Sequence, residues 1–275
     1  MAAGASRFMP PPGRQRTLSR RRAAIESYFH VLHALMLRDM RTRFGGSHVG
    51  YAIVVGWPVA HAFMLVGIYT FRHMPAPIGD SRVLFFSTGA ITALIFQYIS
   101  REVMKAVLLN RPLTYYPQVK LIDVILARII VEIMTGFLAL LLTMSIVAAL
   151  GVNPFPANPV VAITGYLAAI LLGIAVGVVN VGIVSFFPAW QIGYILFTLV
   201  LYLSSGVIFL PNFMPQQIYD ILKWNPVVQV VEWVRTGYYP ELAVQVDYAY
   251  TILWSLTALL LGLMLERFVV RKRTT

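Results

Sequence analysis

The side chains able to carry chemistry are few in this sequence and do not gather into a reactive set. Its 275 residues include 11 Asp and Glu, five His and no Cys. Without cysteine, disulfide bonds, thiol catalysis and thiolate metal sites are excluded. No two carboxylates stand in an arrangement suited to acid–base catalysis, in which one group donates a proton and the other accepts one. The sequence therefore does not favour an enzyme.

Nucleotide and zinc chemistry need motifs that the sequence lacks. Neither the phosphate-cradling G-x-x-x-x-G-K-[ST] nor the zinc-binding H-E-x-x-H occurs. The chain therefore has no P-loop with which to hydrolyse ATP, and we expect no cofactor or metal on it. His30 and His33 share one helix face, but further ligands are missing nearby, so we interpret them as interfacial polar residues.

Some ionisable residues fall within apolar stretches, where they need either a polar partner or a function. His61 either serves a substrate path or hydrogen-bonds to a neighbouring helix, and we favour the second reading. Arg128 and Glu132 are four residues apart and share a helix face, on a helix that rises from the cytoplasm or lines a wet cavity. Glu232 and Arg235, three residues apart, also share a face, with Trp233 between them.

The elements that must position these residues are membrane-spanning helices. Hydrophobic residues make up 59% of the chain and charged residues 12%, against about 25% charged residues in a soluble domain. Crossing a bilayer takes about 20 apolar helical residues. The candidate spans, of which the third starts as early as Leu121, are 49–71, 83–100, 133–150, 160–187, 191–210 and 247–265. We predict an all-α membrane protein with six transmembrane helices.

The positive charge is distributed as in an oriented membrane protein. With six spans and the N-terminus in the cytoplasm, all but four of the 22 Lys and Arg residues lie on the inner side. The exceptions are Arg72, Arg82, Lys223 and Arg235. The net charge of +11 is thus an orientation signal and not a nucleic-acid site. Both termini are predicted to be cytoplasmic.

Residues 211–246 interrupt the pattern of spans. They carry Asp220, Lys223, Glu232, Arg235 and Glu241 and contain four prolines. Charges cost several kcal/mol each inside a span, and a seventh span would place the basic C-terminal residues outside. We therefore predict two short, partly embedded re-entrant helices on the outer face, joined at 224–226 and lying before the last span.

The regions that flank the membrane domain are basic. Residues 1–27 are predicted to form a flexible cytoplasmic tail, and residues 269–275 form a second basic cytoplasmic tail. Between them, residues 28–46 place apolar side chains at helical spacing against arginines and an aspartate, which predicts an amphipathic helix in the inner interface. The transmembrane domain is then 47–268.

The fourth span carries a stripe of small residues four apart. These are Gly165, Ala169, Gly173 and Gly177. Small side chains at this spacing let two helices approach closely. We favour packing within the chain over a seam between two copies.

Several stretches resemble a known family. They are Arg41-Thr42-Arg43-Phe44-Gly45; Gly50-Tyr51 and Trp57-Pro58; Asn110-Arg111-Pro112-Leu113 and Tyr116-Pro117-Gln118-Val119; Ser205 to Pro215; Trp224-Asn225-Pro226; and Glu232 to Pro240. Together they resemble ABC-2 type permeases, above all the capsular polysaccharide export permeases of Gram-negative bacteria. The similarity spans most of residues 38–268. Trp57 departs from the pattern, because family members often carry an acidic residue before that proline.

This resemblance implies a transport subunit of the bacterial inner membrane. It implies a homodimer with two copies of a separate P-loop ATPase, which carries the ATP and Mg²⁺, and contacts with membrane lipids. The substrate would be a lipid-linked acidic polysaccharide, passed on to an export partner in the periplasm or outer membrane.

The residues and the resemblance together suggest three groups of site residues. For coupling to the ATPase they are Arg38, Arg41, Arg43, Asn110, Arg111, Tyr115 and Tyr116. For an outer gate they are Trp224, Asn225, Glu232, Trp233 and Arg235. For contact with the channel or the polysaccharide they are Tyr51, Trp57, His61 and Trp190. The alternative for the aromatic residues is a place in the interfacial belt, a depth that Trp and Tyr favour in any membrane protein. We expect Glu232 and Arg235 to pair and pin the gate; Arg235 meeting the acidic polymer, or an ordinary surface ion pair, are the alternatives.

Other functions are compatible with parts of this pattern. Permeases for O-antigen, teichoic acid, small drugs or lipids share the layout. A membrane-embedded transferase would need acids or histidines gathered at one membrane face, whereas the carboxylates here are scattered. An ion-coupled carrier is expected to show broken helices in two repeated halves, and no repeat is visible.

Overall fold

The computed structural model describes residues 13–43, 47–110, 112 and 119–270, and within these ranges the chain is helical, without a strand. This confirms the predicted all-α class. A 3₁₀ turn covers Pro211–Phe213, and a π-helical turn, Glu266–Val270, extends the last helix. The α-helices are α1 (Gly13–Arg43), α2 (His48–Phe71), α3 (Arg82–Met104), α4 (Ala106–Leu109), α5 (Leu121–Ala149), α6 (Pro159–Phe186), α7 (Trp190–Leu203), α8 (Gln216–Leu222), α9 (Pro226–Tyr238) and α10 (Tyr248–Leu265).

Among the described residues, five helices are long and apolar enough to cross a membrane. They are Val49–Phe71, Arg82–Met104, Leu121–Ala149, Pro159–Phe186 and Tyr248–Phe268. The predicted span 191–210 is shorter as a helix, because α7 has 14 residues and covers about 21 Å of a core about 30 Å thick. A turn follows it, in which Gly206 adopts a φ of 76° that glycine tolerates best. The sixth span stays a prediction.

The starts of the helices are set by local hydrogen bonds. Ser81 caps α3, because its side chain accepts from the Leu84 N–H at 3.2 Å. Asn158 and Asn225 cap α6 and α9 in the same way, and in both helices a proline occupies the first turn, where no N–H is needed. At α5 the Asp123 carboxylate accepts from the Lys120 N–H at 3.0 Å. The predicted early start of this helix at Leu121 is confirmed.

The core is built around α3, the most buried of the five candidate spans. Glycines of α6 let α3 approach closely: a Cβ at Gly177 would lie 2.7 Å from the Val103 Cβ, and one at Gly173 would lie 3.0 Å from the Ile99 Cβ. A Cβ at Gly165 would lie 2.9 Å from the backbone nitrogen of Val234 in α9. The small-residue stripe therefore packs within the chain, as favoured above.

The N-terminal helix is longer than predicted. It begins at Gly13, so residues 13–27 are helical and not the flexible tail expected from their Arg and Pro content; Arg, Ala and Leu are strong helix formers. Its second half packs on the start of α5, with Leu32 and Leu35 buried against Val124 and Ala127. Residues 44–46 and 271–275 lie outside the described residues.

The stretch 211–246, predicted to lie on the outer face, contains two short helices, α8 and α9, joined by residues 223–225. Every residue of α9 from Val227 to Val231 is buried, and the helix lies against α3 and α6. By contrast, α8 has no buried residue. How deep these helices sit in the membrane stays a prediction.

Candidate functional site

Charged side chains from three helices meet near one end of the candidate spans α3 and α5. We call Asp39, Glu102, Lys105, Arg128 and Glu132 the Arg128 charge cluster. Arg128 of α5 places Nη2 at 2.8 Å from the Asp39 Oδ1 of α1. Its Nη1 lies 3.7 Å from the Glu102 Oε2 of α3 and 3.8 Å from the Glu132 Oε1. Lys105 Nζ donates to Glu102 Oε1 at 2.7 Å.

This cluster is largely withdrawn from water. The side chains of Arg128, Asp39 and Glu132 are 3%, 6% and 2% exposed. Removing one partner of a buried ion pair leaves an uncompensated charge, which costs about 3–5 kcal/mol. The predicted Arg128–Glu132 face is present. Asp39 and Glu102 were missed, because no local pattern links a helix before the first span to the third.

The predicted coupling residues are only partly within the described chain. Arg38 is half-buried, Arg41 is exposed, and buried Asn110 donates through Nδ2 to the Ala106 carbonyl at 2.9 Å, which closes α4. The side chain of Arg43, and Arg111, Tyr115 and Tyr116, lie outside the described residues. Their role stays a prediction.

Away from this cluster, Arg235 fastens α9 to the turn that follows α7. Its side chain is fully buried. Nη1 donates to the carbonyls of Gly206 and Phe209, and Nη2 donates to that of Val207 at 2.8 Å. A Cβ at Gly89 would lie 2.5 Å from Nη2, so only glycine leaves room there for the guanidinium.

The prediction that Glu232 and Arg235 form an ion pair is wrong. The two share α9, but no ion pair within 4 Å joins them, because the arginine fork reaches the carbonyls of the 206–209 turn instead. Glu232 is fully buried, and neither of its carboxylate oxygens has a hydrogen-bond partner among the described residues. Burial raises the pKa of the Glu232 carboxyl to about 7. At neutral pH this side chain is therefore poised between its two charge states.

The other outer-gate residues connect α9 to its neighbours. Asn225 accepts from the Val227 N–H at 2.9 Å and donates to the Ser204 Oγ at 2.9 Å, which ties the start of α9 to the end of α7. Trp233 Nε1 donates to Thr164 Oγ1 of α6 at 3.2 Å. Trp224 is exposed, and its carbonyl accepts from the Tyr250 hydroxyl at 2.7 Å. The structure therefore gathers the predicted gate residues around one buried helix.

The predicted channel residues fall in two places. Trp57 and His61 lie one turn apart on α2, with Trp57 exposed, and the His61 ring centroid lies 5.4 Å from that of Tyr202 in α7. Tyr51 is half-buried and packs on the core. Trp190 is at the far end of α7, where its indole donates to Asn180 Oδ1 at 2.8 Å. Tyr202, whose buried hydroxyl has no described partner, was missed by sequence reasoning.

The described part of the chain holds no group of three His, Cys, Asp or Glu residues that could bind a metal. The charged side chains of Arg128 and Arg235 instead fasten helices together at two separate places in the fold.

Comparison with known proteins identifies one matching family and several relatives. Residues 30–239 match the family model described as ABC-2 type transporter. The chain is 31% identical over 248 residues to the polysialic acid transport protein KpsM of Escherichia coli, covering 90% of this chain and 96% of that protein. It is 26% identical to the capsule polysaccharide export inner-membrane protein CtrC of Neisseria meningitidis over 86% of this chain and 91% of the relative. With the corresponding BexB of Haemophilus influenzae the identity is 22%, over 86% and 90% of the two chains.

Proposed function

Because this chain belongs to the ABC-2 type transporter family, we propose that it is the membrane subunit of an exporter that moves a lipid-linked capsular polysaccharide across the bacterial inner membrane. The observation that carries the proposal is the similarity to polysialic acid and capsule export proteins along nearly the whole chain. Polysialic acid is an acidic polymer, which supports an acidic substrate here.

The energy for export comes from a separate ATPase. The sequence has no P-loop, so the nucleotide and Mg²⁺ belong to a partner chain. Two copies of that partner would meet a homodimer of this subunit. The surfaces offered to them are the exposed side of α1 with Arg41, and the segment between α4 and α5 that contains Arg111.

Both termini face the cytoplasm in this proposal, and the sixth span consists of α7 and the turn after it. This topology keeps the Arg- and Lys-rich parts inside, as the positive-inside rule requires. It places α8 and α9 at the outer surface, where Glu232 and Arg235 sit close to the exit of the path. The exposed Trp57 and the ring pair His61–Tyr202 lie on α2 and α7, and these helices supply the aromatic surface along which the polymer slides.

One experiment tests the whole proposal. The tagged chain is purified from its native membrane, co-purifying proteins are identified by mass spectrometry, and ATP hydrolysis is measured. We expect a P-loop ATPase in stoichiometric amount, together with loss of surface capsule when the gene for this chain is deleted. The matched control is an ATPase partner with its P-loop lysine replaced, which should assemble but not export.

Two results would contradict the proposal. If no P-loop ATPase co-purifies and the capsule is unchanged in the deletion strain, the chain is not the subunit of such an exporter. If the deletion strain keeps its capsule but loses O-antigen, teichoic acid or resistance to a small drug, the transporter assignment holds and the substrate assignment fails.

A further inference from the structure

We propose that Arg128 joins α1, α3 and α5 into one rigid body, so that movement of α1 is delivered to the membrane helices through this side chain. The inference rests on the proposed function, since it names the residue that carries ATP-driven movement into the spans. Arg128 acts here as a positioning residue, without contact to substrate or nucleotide.

The first step concerns the contact between α1 and the membrane helices. Leu32 and Leu35 pack on Val124 and Ala127, an apolar seam that holds the helices together but has little directional preference. The Asp39–Arg128 contact is directional, at 2.8 Å, and is the ion pair that joins α1 to a candidate span within the described residues. It therefore sets the register between α1 and α5.

The second step concerns the fork of the guanidinium. One arm, Nη2, reaches Asp39 on α1, while the other arm, Nη1, faces Glu102 on α3 and Glu132 on α5 at nearly equal distances. Nε and Nη1 have no hydrogen bond of their own to the described part of the chain. The planar fork of an arginine spans two acceptors in this way, whereas a lysine ammonium presents a single point of charge. Three helices thus share one cation.

The third step concerns what these helices lead to. Glu102 lies in the last turn of α3, directly before α4 and the segment 111–118, and α5 begins just after that segment. Lys105 holds Glu102 at 2.7 Å on the same side. The cluster therefore stands where α1 and the two ends of the segment proposed to meet the ATPase come together. A shift at either ATPase-facing surface is transmitted to the same buried guanidinium.

The experiment separates a transmission role from simple stabilisation. The full chain is assembled with its ATPase in liposomes, and the yield of complex, the rate of ATP hydrolysis and the amount of polymer exported per ATP are measured for Asp39→Asn. We expect normal assembly and hydrolysis, but about tenfold less polymer per ATP, because α1 then moves without carrying α5. The matched control is Glu26→Gln, which removes an exposed acid from the same helix and should change none of the three readouts.

A cross-link provides the second arm. Because the chain has no cysteine, a cysteine pair at Leu35 and Val124, two members of one buried cluster, can be joined across the α1–α5 seam by oxidation with copper phenanthroline to a disulfide, and the joined fraction is read from a non-reducing gel. In the Asp39→Asn background, the cross-linked protein should regain most of its export per ATP, and the same protein kept reduced should not. A purely stabilising role for the ion pair would not give export that depends on the cross-link at constant ATP hydrolysis.

The results that overturn the inference are distinct from those that overturn the proposed function. If Asp39→Asn exports as much polymer per ATP as the wild type, the role of Arg128 is overturned. The same holds if the cross-link forms but export per ATP does not recover. Either result leaves the proposed function standing. Absence of ATP-dependent export by the wild-type complex would instead overturn the proposed function. Should Asp39→Asn fail to assemble, Arg128→Lys is measured in the same way; it keeps the charge but not the fork, and undiminished export per ATP by this variant would also reject the inference.

Discussion

The guanidinium carbon of Arg235 lies 3.9 Å from the ring centroid of Phe85, so that α9 is held on α3 by a buried cation–π contact. The same guanidinium donates to carbonyls of the 206–209 turn. These carbonyls follow the end of α7, so the arginine serves as a cap for the turn. One side chain thereby joins α9, α3 and the turn after α7.

Replacing Arg235 should weaken the fold as well as export. Arg235→Gln leaves buried carbonyls unpaired and removes the cation, and we expect a loss of about 3–5 kcal/mol in the free energy of unfolding. Phe85→Leu removes only the ring and should cost about 1–2 kcal/mol. Thermal unfolding in detergent measures both. Lys223→Gln, at a 42% exposed side chain, is the control and should leave the midpoint unchanged; equal midpoints for all variants would contradict the cap.

Exchanging Glu232 and Arg235 should not rescue export, because the two side chains do not pair. The double variant Glu232→Arg, Arg235→Glu places a carboxylate against the carbonyls of the 206–209 turn, where like partial charges repel. We expect less assembled protein than with either single change, measured by size-exclusion chromatography. Partial recovery of export relative to the single variants would mean that the pair forms in some state of the cycle.

The stability of the protein should depend on pH through Glu232. The pKa of this carboxyl is raised to about 7 in the fold from 4.5, so the folded state binds the proton more tightly than the unfolded state. The contribution of this carboxyl to the free energy of unfolding is fully present below about pH 4.5. It is lost as the pH rises to and through 7, by about 3 kcal/mol in total. Glu232→Gln should flatten this dependence between pH 5 and 8. In the control, Asp220→Asn, the slope should persist, because Asp220 is bound to Lys223 and its pKa is lowered.

The close approach of α6 and α3 predicts contrasting effects of two glycine substitutions. Gly177→Ala would place a Cβ 2.7 Å from the Val103 Cβ, and the resulting overpacking should cost about 1–3 kcal/mol. Gly56→Ala in α2 meets nothing within 4 Å and should be neutral or stabilising by up to about 1 kcal/mol. The two variants are compared by the midpoint temperatures of thermal unfolding. Similar midpoints would contradict a close contact between α3 and α6 at Gly177.

Topology is tested by reporters at two sites. A fusion after Thr275 should report the cytoplasm, and an insertion near Gln216, on the exposed α8, should report the outer side. The reason is the concentration of Lys and Arg on the side that holds the termini. A cytoplasmic signal at 216 would reject the arrangement of six spans.

Much of the helical architecture was predictable from the sequence, because it depends on interactions between near neighbours. Apolar runs longer than about 20 residues predict spans whatever surrounds them, and Asn or Ser before a proline or an apolar run marks where a helix begins. The stripe from Gly165 to Gly177 predicted a close helix contact for the same local reason. The stretch 191–210 is helical only as far as Leu203, because a turn that includes Gly206 follows.

The partners of the buried charges were decided only by tertiary structure. The spacing of Glu232 and Arg235 predicted a pair, yet the long arginine side chain found carbonyls of a turn that the docking of α9 brings within reach. Likewise, the spacing of Arg128 and Glu132 was informative, but the shorter contact with Asp39 exists because α1 folds back onto α5. Helix periodicity specifies which residues share a face. It does not specify which other helix will cover that face, and a buried charge takes the best acceptor that the packing supplies.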